Sequence, residues 1–279
     1  MKTNFFLWKQ RNPVGLAVLG LVGVVSLSVL SPSHGENQKA SQGAGGPVDI
    51  IDWAGQIAGD PAKAPSPEIY FSPRRGAAPR IVDAKTDPSS PFPDGHLAVY
   101  IGKDDDSEGP SSEGQQTNLT MILNPFFGGG EPPLKGWLQA EFSIDSGILT
   151  FAMRADAEEP SPNESVARGS QGKEQQLFKA YIQPDNTILI EHGSPGKENQ
   201  EKGRGQVSVT SGVPHVFRVE WDWSGEQLLL QFLLDGELMP ISQSNDTLVL
   251  DRSSQAKAIN RLDCSLPAGS FLGRVTVSE

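Results

Sequence analysis

The chain has 279 residues, with 34 acidic against 23 basic side chains, 30 glycines, 22 prolines and one cysteine. Glycine and proline together approach a fifth of the chain, well above an average usage of roughly 12%, so frequent chain reversals and few long helices are expected. The glycines keep no three-residue period, which excludes collagen. A lone cysteine forms no intrachain disulfide and supplies no four-thiolate metal site. A net charge of −11 repels a polyanion, and no basic patch offsets it, which argues against a nucleic-acid partner.

Residues 1–35 open with Lys2, Lys9 and Arg11 and no acid, followed by an apolar run from Val14 to Leu30 and small residues up to Gly35. A positive start, an apolar stretch and small residues form the pattern of a secretory signal peptide, with Ser33 and Gly35 at the positions a signal peptidase reads. An uncleaved anchor is the alternative, since the run is at the lower edge of membrane-spanning length. Either reading predicts export, to the periplasm, the cell surface or the medium, and the membrane is met only through this segment if it is kept. Cleavage removes three positive charges and takes the net charge from −11 to about −14, which suits a soluble body outside the cytoplasm. Residues 36–47 are polar and Gly-rich and read as a flexible linker. Residues 48–279 read as one β-rich domain.

Order is expected to begin with Val48 to Trp53. Residues 59–95 mix many prolines with short apolar runs, a pattern of edge strands and crossing loops. His96 to Gly102 is a β-rich run that ends in the acidic stretch Lys103 to Gly109, and Leu119 to Leu123 is another. Trp137 to Ile144 and Ile148 to Met153 flank Asp145-Ser146-Gly147, and Leu177 to Gln183 and Thr187 to Glu191 flank Pro184-Asp185-Asn186. Both read as hairpins, the second with Asn186 in the left-handed conformation. Trp223-Ser224-Gly225-Glu226 and Asp235-Gly236 mark two more reversals. In His215 to Trp223 the residues Phe217, Val219, Trp221 and Trp223 share one side, and Arg218, Glu220 and Asp222 the other, so one face is expected to meet a core. Gln227 to Leu234 is apolar almost throughout and is expected to be covered on both sides. Ser253 to Leu262 is the only stretch that could make a turn or two of helix. The terminal Ser270 to Glu279 alternates again, with Val275 and Val277 inward. Together these predict an all-β antiparallel two-sheet sandwich of jelly-roll type behind an N-terminal helical leader.

The segment Gly212-Val213-Pro214-His215, the alternating strand to Trp221-Asp222, the Ser-Gly turn, the leucine strand and Asp235-Gly236 together resemble the late strands of the concanavalin A-like lectin/glucanase superfamily, the laminin G-like group in particular. Phe271 to Val277 resembles its closing strand. The resemblance implies a sandwich with a sugar-binding sheet, sometimes calcium-dependent and in some enzymes hydrolytic. Such motifs encode turns and core strands, so they speak to fold and hardly to function.

Glucanases of this superfamily carry an alternating acid motif. Glu220-Trp221-Asp222 begins it, but a Ser-Gly turn precedes Glu226, so no retaining pair of carboxyls is specified. Glu141 is a second acid that could pair with Glu220. The expected reading is a non-catalytic carbohydrate-binding or adhesion module; a diverged glycoside hydrolase or polysaccharide lyase, or a structural envelope protein, are the alternatives. Sugar recognition needs an aromatic face with polar groups beside it, and Glu141, Lys179, Tyr181, Arg218 and Glu220 are the candidates, expected on one polar face across adjacent strands. Asp104, Asp105 and Asp106 are candidate calcium ligands in an oxygen-rich loop, although their spacing is not that of an EF-hand. No other cofactor is indicated. The four histidines show no close pairing in sequence, His215 reads as a hydrogen-bonded edge residue, and Cys264 reads as a structural thiol.

Overall fold

The structure is a computed structural model and describes residues 46–74, 79–102, 115–127, 133–156, 174–192, 201–241, 246–251 and 258–278. The leader, with its expected helix, and Asp104, Asp105 and Asp106 lie outside these residues. In chain order the strands are β1 (Val48–Ile51), β2 (Ile69–Arg74), β3 (Pro79–Asp83), β4 (Leu97–Ile101), β5 (Gln116–Ile122), β6 (Lys135–Ile144), β7 (Leu149–Asp156), β8 (Glu174–Ile182), β9 (Thr187–His192), β10 (Glu201–Ser208), β11 (His215–Asp222), β12 (Gln227–Leu234), β13 (Glu237–Leu238), β14 (Thr247–Asp251), β15 (Ala258–Pro267) and β16 (Ser270–Ser278). Asn124–Phe127 forms a 3₁₀ turn.

Every pairing among these strands is antiparallel, and the strands fall into two sheets. Sheet A runs β13-β12-β11-β6-β16-β4-β3, with β1 also on β16 and β14 also on β12; sheet B runs β10-β9-β8-β7-β15-β5-β2. The two are packed face to face by aromatic rings: Phe151 of sheet B stacks on Phe217 of sheet A at 5.4 Å, and Phe178 of sheet B meets Phe232 of sheet A edge-on at 4.8 Å. A single cluster of buried side chains draws on both sheets. Cys264 belongs to it, and burial pushes its thiol well above the usual range, so it is a core group and not a nucleophile.

The β11 alternation holds residue for residue: Phe217, Val219, Trp221 and Trp223 are buried, as are Val275 and Val277 in β16. Several expectations need correction. Asp145-Ser146-Gly147 does not close a hairpin, because β6 pairs with β11 and β16 while β7 pairs with β8 and β15. The turn carries the chain from one sheet to the other. Gly147 has φ 83° and a Cβ there would sit 2.8 Å from the Pro267 side chain, so the crossover demands glycine for both conformation and space. In the β8–β9 hairpin the left-handed residue is Asp185 (φ 59°) and not Asn186. Strand β12 is covered on one side only: Leu228 and Leu230 are buried while Leu229 is 37% exposed, since the partner sheet lies against one face of sheet A. Of the stretch read as a possible helix, the described part from residue 258 to Leu262 is the start of β15, where the ladders to β5 and β7 override a weak local preference.

The Pro-His and Asp-Gly phrases turn out to be one fold device. Asp235 sits at φ 53° at the β12–β13 reversal. Its carboxylate accepts the Val216 N–H at 2.8 Å and lies 2.7 Å from Nδ1 of His215. Nε2 of the same imidazole accepts the Thr210 N–H at 3.0 Å, which leaves Nδ1 as the donor to Asp235. His215 is 8% exposed and lies in a strand flanked on both sides by others, so the edge position expected for it is corrected while its hydrogen-bonded role stands. Removing the acceptor leaves two donors without their partner, so Asp235→Ala is expected to lower unfolding free energy by about 1–3 kcal/mol. Asp235→Asn, which keeps an acceptor and tolerates positive φ, is expected to lose less. Urea denaturation checks the order, and an Ala variant as stable as the wild type would contradict it.

Candidate functional site

The alternation that fills the core also sorts the remaining side chains onto two outer faces, one per sheet. On sheet B, strand register aligns Tyr70, Thr120, Asp263, Ala152, Lys179 and Glu191 in one row, and Ser72, Asn118, Ser265, Thr150, Tyr181 and Leu189 in the next. Asp263 is the hub of this face. It accepts from Arg154 Nε, Arg261 Nε and Thr120 Oγ1, each at 2.8 Å. Ser265 donates to Asn118 at 3.1 Å. Across the short Thr150 and Ala152 of β7, the Lys179 ammonium lies 4.7 Å over the Tyr181 ring, and the Tyr181 hydroxyl donates to Glu191 at 2.6 Å. Burial first, and then the Glu191 carboxylate, push the Tyr181 hydroxyl up to about 12, so it remains a donor at neutral pH. At the far edge Tyr70 is 39% exposed. Four strand spacings separate Tyr70 from the β8 row, about 19 Å. The face therefore offers hydrogen-bonding groups in rows between two aromatic side chains.

Glu141, Arg218 and Glu220 are not part of it. They lie on the outer face of sheet A, so the expectation of one polar face joining them to Lys179 and Tyr181 is corrected. The pairing fixes this: β11 neighbours β6 and β12, and β8 neighbours β7 and β9. On sheet A the Arg218 guanidinium lies 4.2 Å over the Trp137 ring and pairs with Glu220 at 2.6 Å. Glu141 lies opposite Val216, four positions from Glu220, which is about 13 Å of strand. Glu141 is instead bound to His96 Nε2 at 2.9 Å and to the Arg274 N–H at 3.1 Å. The two carboxylates share a sheet face but not the close spacing a glycosidase needs. Asp222 is a turn residue: it accepts from the Ser224 hydroxyl at 2.6 Å and backbone at 3.0 Å, and pairs with Lys135 at 2.9 Å.

Sequence reasoning missed Tyr70, Arg154, Asp263, Arg261 and Glu191 on sheet B, and His96 on sheet A. A strand reading of Ala258 to Pro267 exposes Arg261, Asp263 and Ser265 as one alternating side, so the signal was present for two of the missed groups. The His96–Glu141 pair has no local signal, because 45 positions separate them. Among the described residues no group of three His, Cys, Asp or Glu side chains could hold a metal ion.

No family model matches the sequence, and no curated protein matches it. Solved structures do resemble the fold. An endo-1,3-beta-glucanase from Streptomyces sioyaensis is 13% identical, with a TM-score of 0.48 over 86% of this chain and 99% of the other. A carbohydrate esterase from Shiga toxin-encoding bacteriophage phi24B is 14% identical, with a TM-score of 0.44 over 75% and 89%. Peanut lectin is 11% identical, with a TM-score of 0.40 over 85% and 98%.

The Asp222 contacts carry a pH signature. The Ser224 hydroxyl first, then Lys135 and the Ser224 N–H, hold its carboxyl at about 2, against 3.8 for the free group. A depressed folded-state value stabilises the fold above the unfolded value and is lost as pH falls through the folded one. The stability difference between wild type and Asp222→Ala is therefore expected to be full above about pH 4 and to shrink between about pH 4 and pH 2. Denaturation midpoints across that range test this, and a difference that grows on acidification would contradict it.

Proposed function

We propose that this chain is an exported, non-catalytic carbohydrate-binding or adhesion module, and that the outer face of sheet B is its binding surface. One observation carries the reading: two rows of mostly hydrogen-bonding side chains cross that face, with Tyr70 on β2 in one and Tyr181 on β8 in the other. Sugars offer hydroxyls for planar polar partners and C–H faces for aromatic rings. The Asp263 hub holds the Arg154 and Arg261 side chains in place before a ligand arrives, which lowers the ordering cost of binding. The Lys179 ammonium over Tyr181 is worth only about 0.5–1 kcal/mol at an exposed site, so a sugar ring can displace it. A span of about 19 Å between the aromatic ends suits an extended oligosaccharide better than a single sugar. Export is supported by the N-terminal leader. The non-catalytic reading is supported by Glu141 and Glu220, which are far apart and each tied to a basic partner.

Retention of the protein on immobilised β-glucan, galactan and polyuronate, with and without calcium, tests the reading. Binding to at least one polymer is expected, with Tyr181→Ala weakening it about tenfold, the equivalent of 1.4 kcal/mol. No retention on any polymer, retention unchanged in Tyr181→Ala, or release of reducing sugar would overturn it.

A further inference from the structure

Strand β16 changes partners partway along its length. Its first half pairs with β4, through Phe271 and Leu272, and its second half pairs with β1, from Val275 onward. The two short strands thus share one edge of β16 and leave a seam between them. At that seam the register of β16 against β6 also shifts, between Leu272 and Val275. An irregularity of this kind bends a strand and re-aims its side chains, and such features cluster beside functional sites. The seam is held open by specific contacts. The buried Trp53 indole N–H is shared between the Leu272 and Gly273 carbonyls, at 3.1 and 2.9 Å. On the other side His96 stacks on Phe92 at 4.9 Å and pairs with Glu141 at 2.9 Å.

Gly273 is the residue that makes room for this pair. A Cβ at that position would lie 2.9 Å from Glu141 Oε2 and 3.2 Å from His96 Nε2. His96 also lines a cleft of about 280 Å³, with Asp52 and Arg274 as its other polar groups and Trp53 and Leu97 as apolar wall. That volume lies just below the range of roughly 300–1,000 Å³ that holds drug-sized ligands, so it matches one small ring and not a chain. Its polar groups are complementary in kind: the Asp52 carboxylate accepts and the half-exposed Arg274 guanidinium donates. Adjacent hydroxyls on a sugar ring supply both partners. Asp49, Asp52 and Glu141 outnumber the single guanidinium of Arg274 at the seam, so a carboxylate-bearing ligand meets a surplus of like charge.

We propose that this seam is a second ligand site, on the opposite sheet from the proposed glycan face and independent of it, which takes a single sugar unit without negative charge. Asp52, His96 and Arg274 contact the sugar. Glu141 is a positioning residue that acts through the imidazole, and Gly273 leaves room for that pair.

Ligand-observed NMR with the full chain and methyl glycosides of glucose, galactose and mannose, with glucosamine, and with glucuronate provides the test. At least one neutral or amino sugar is expected to bind, with glucuronate at least tenfold weaker. Gly273→Ala forces a methyl group against the His96–Glu141 pair, displacing the imidazole from the cleft wall, and is expected to remove binding. Should that variant fail to fold, Glu141→Gln keeps the shape and is expected to narrow the discrimination against glucuronate, a change that a purely structural role for Glu141 would not produce. Absence of binding by every sugar in the panel, glucuronate binding as tightly as the neutral sugars, or discrimination unchanged in Glu141→Gln would overturn the proposal.

Discussion

The contact on which this molecule depends is the ring-to-ring packing that joins its two sheets. Phe151 and Phe217 come from opposite sheets and lie parallel to within 4°. Phe142 meets Phe151 edge-on at 5.9 Å, and Phe232 links Phe217 to Phe178. Apolar burial supplies the driving force for such a core, and aromatic geometry adds specificity to it. Because a strand alternates at every residue, fixing Phe217 inward also fixes Arg218 and Glu220 outward on sheet A. Fixing Phe151 and Phe178 inward does the same for Ala152 and Lys179 on sheet B. The division of polar groups between the two outer faces is therefore a consequence of the core and not a separate design.

That division bears on how the sequence motifs should be understood. The Pro-His, Trp-Asp and Asp-Gly phrases read like a signature, yet each does structural work. His215 and Asp235 bind the start of β11 to the far end of β12, and Asp222 caps the turn between those strands. Their side chains are occupied with backbone donors and with one another, which leaves the chemistry of recognition to less conspicuous residues. Asp263 illustrates this: it lies in a stretch with no motif, and it gains the Thr120 and Arg154 donors only because β5 and β7 flank β15.

Local patterning made much of the fold legible. The period of two in β11 and the reversal at Asp235-Gly236 depend on residues next to one another, and the structure repeats them. The β6–β7 connection was not legible, because the positive φ that Gly147 supplies serves a hairpin and a crossover between sheets equally well. The exposure of Leu229 was hidden for a related reason: a run of leucines states that a strand is apolar, not how many of its faces are covered. The candidate residues fared according to the same rule. Glu141, Lys179, Tyr181, Arg218 and Glu220 sit at outward positions, but which outward face each occupies is set by pairings between distant strands, as when β6 lies between β11 and β16. Lys179 and Glu220 each alternate correctly within their own strands, and nothing local distinguishes the sheet to which each belongs.

The most direct test of this account is a double-mutant cycle across the sheet interface, with Phe151→Leu, Phe217→Leu and the combined variant compared by urea denaturation. Stacked rings from facing sheets should be energetically coupled by about 0.5–1.5 kcal/mol. Strictly additive losses would mean that the two rings do not pack on each other, and the assignment of outer faces that follows from their packing would fall with them.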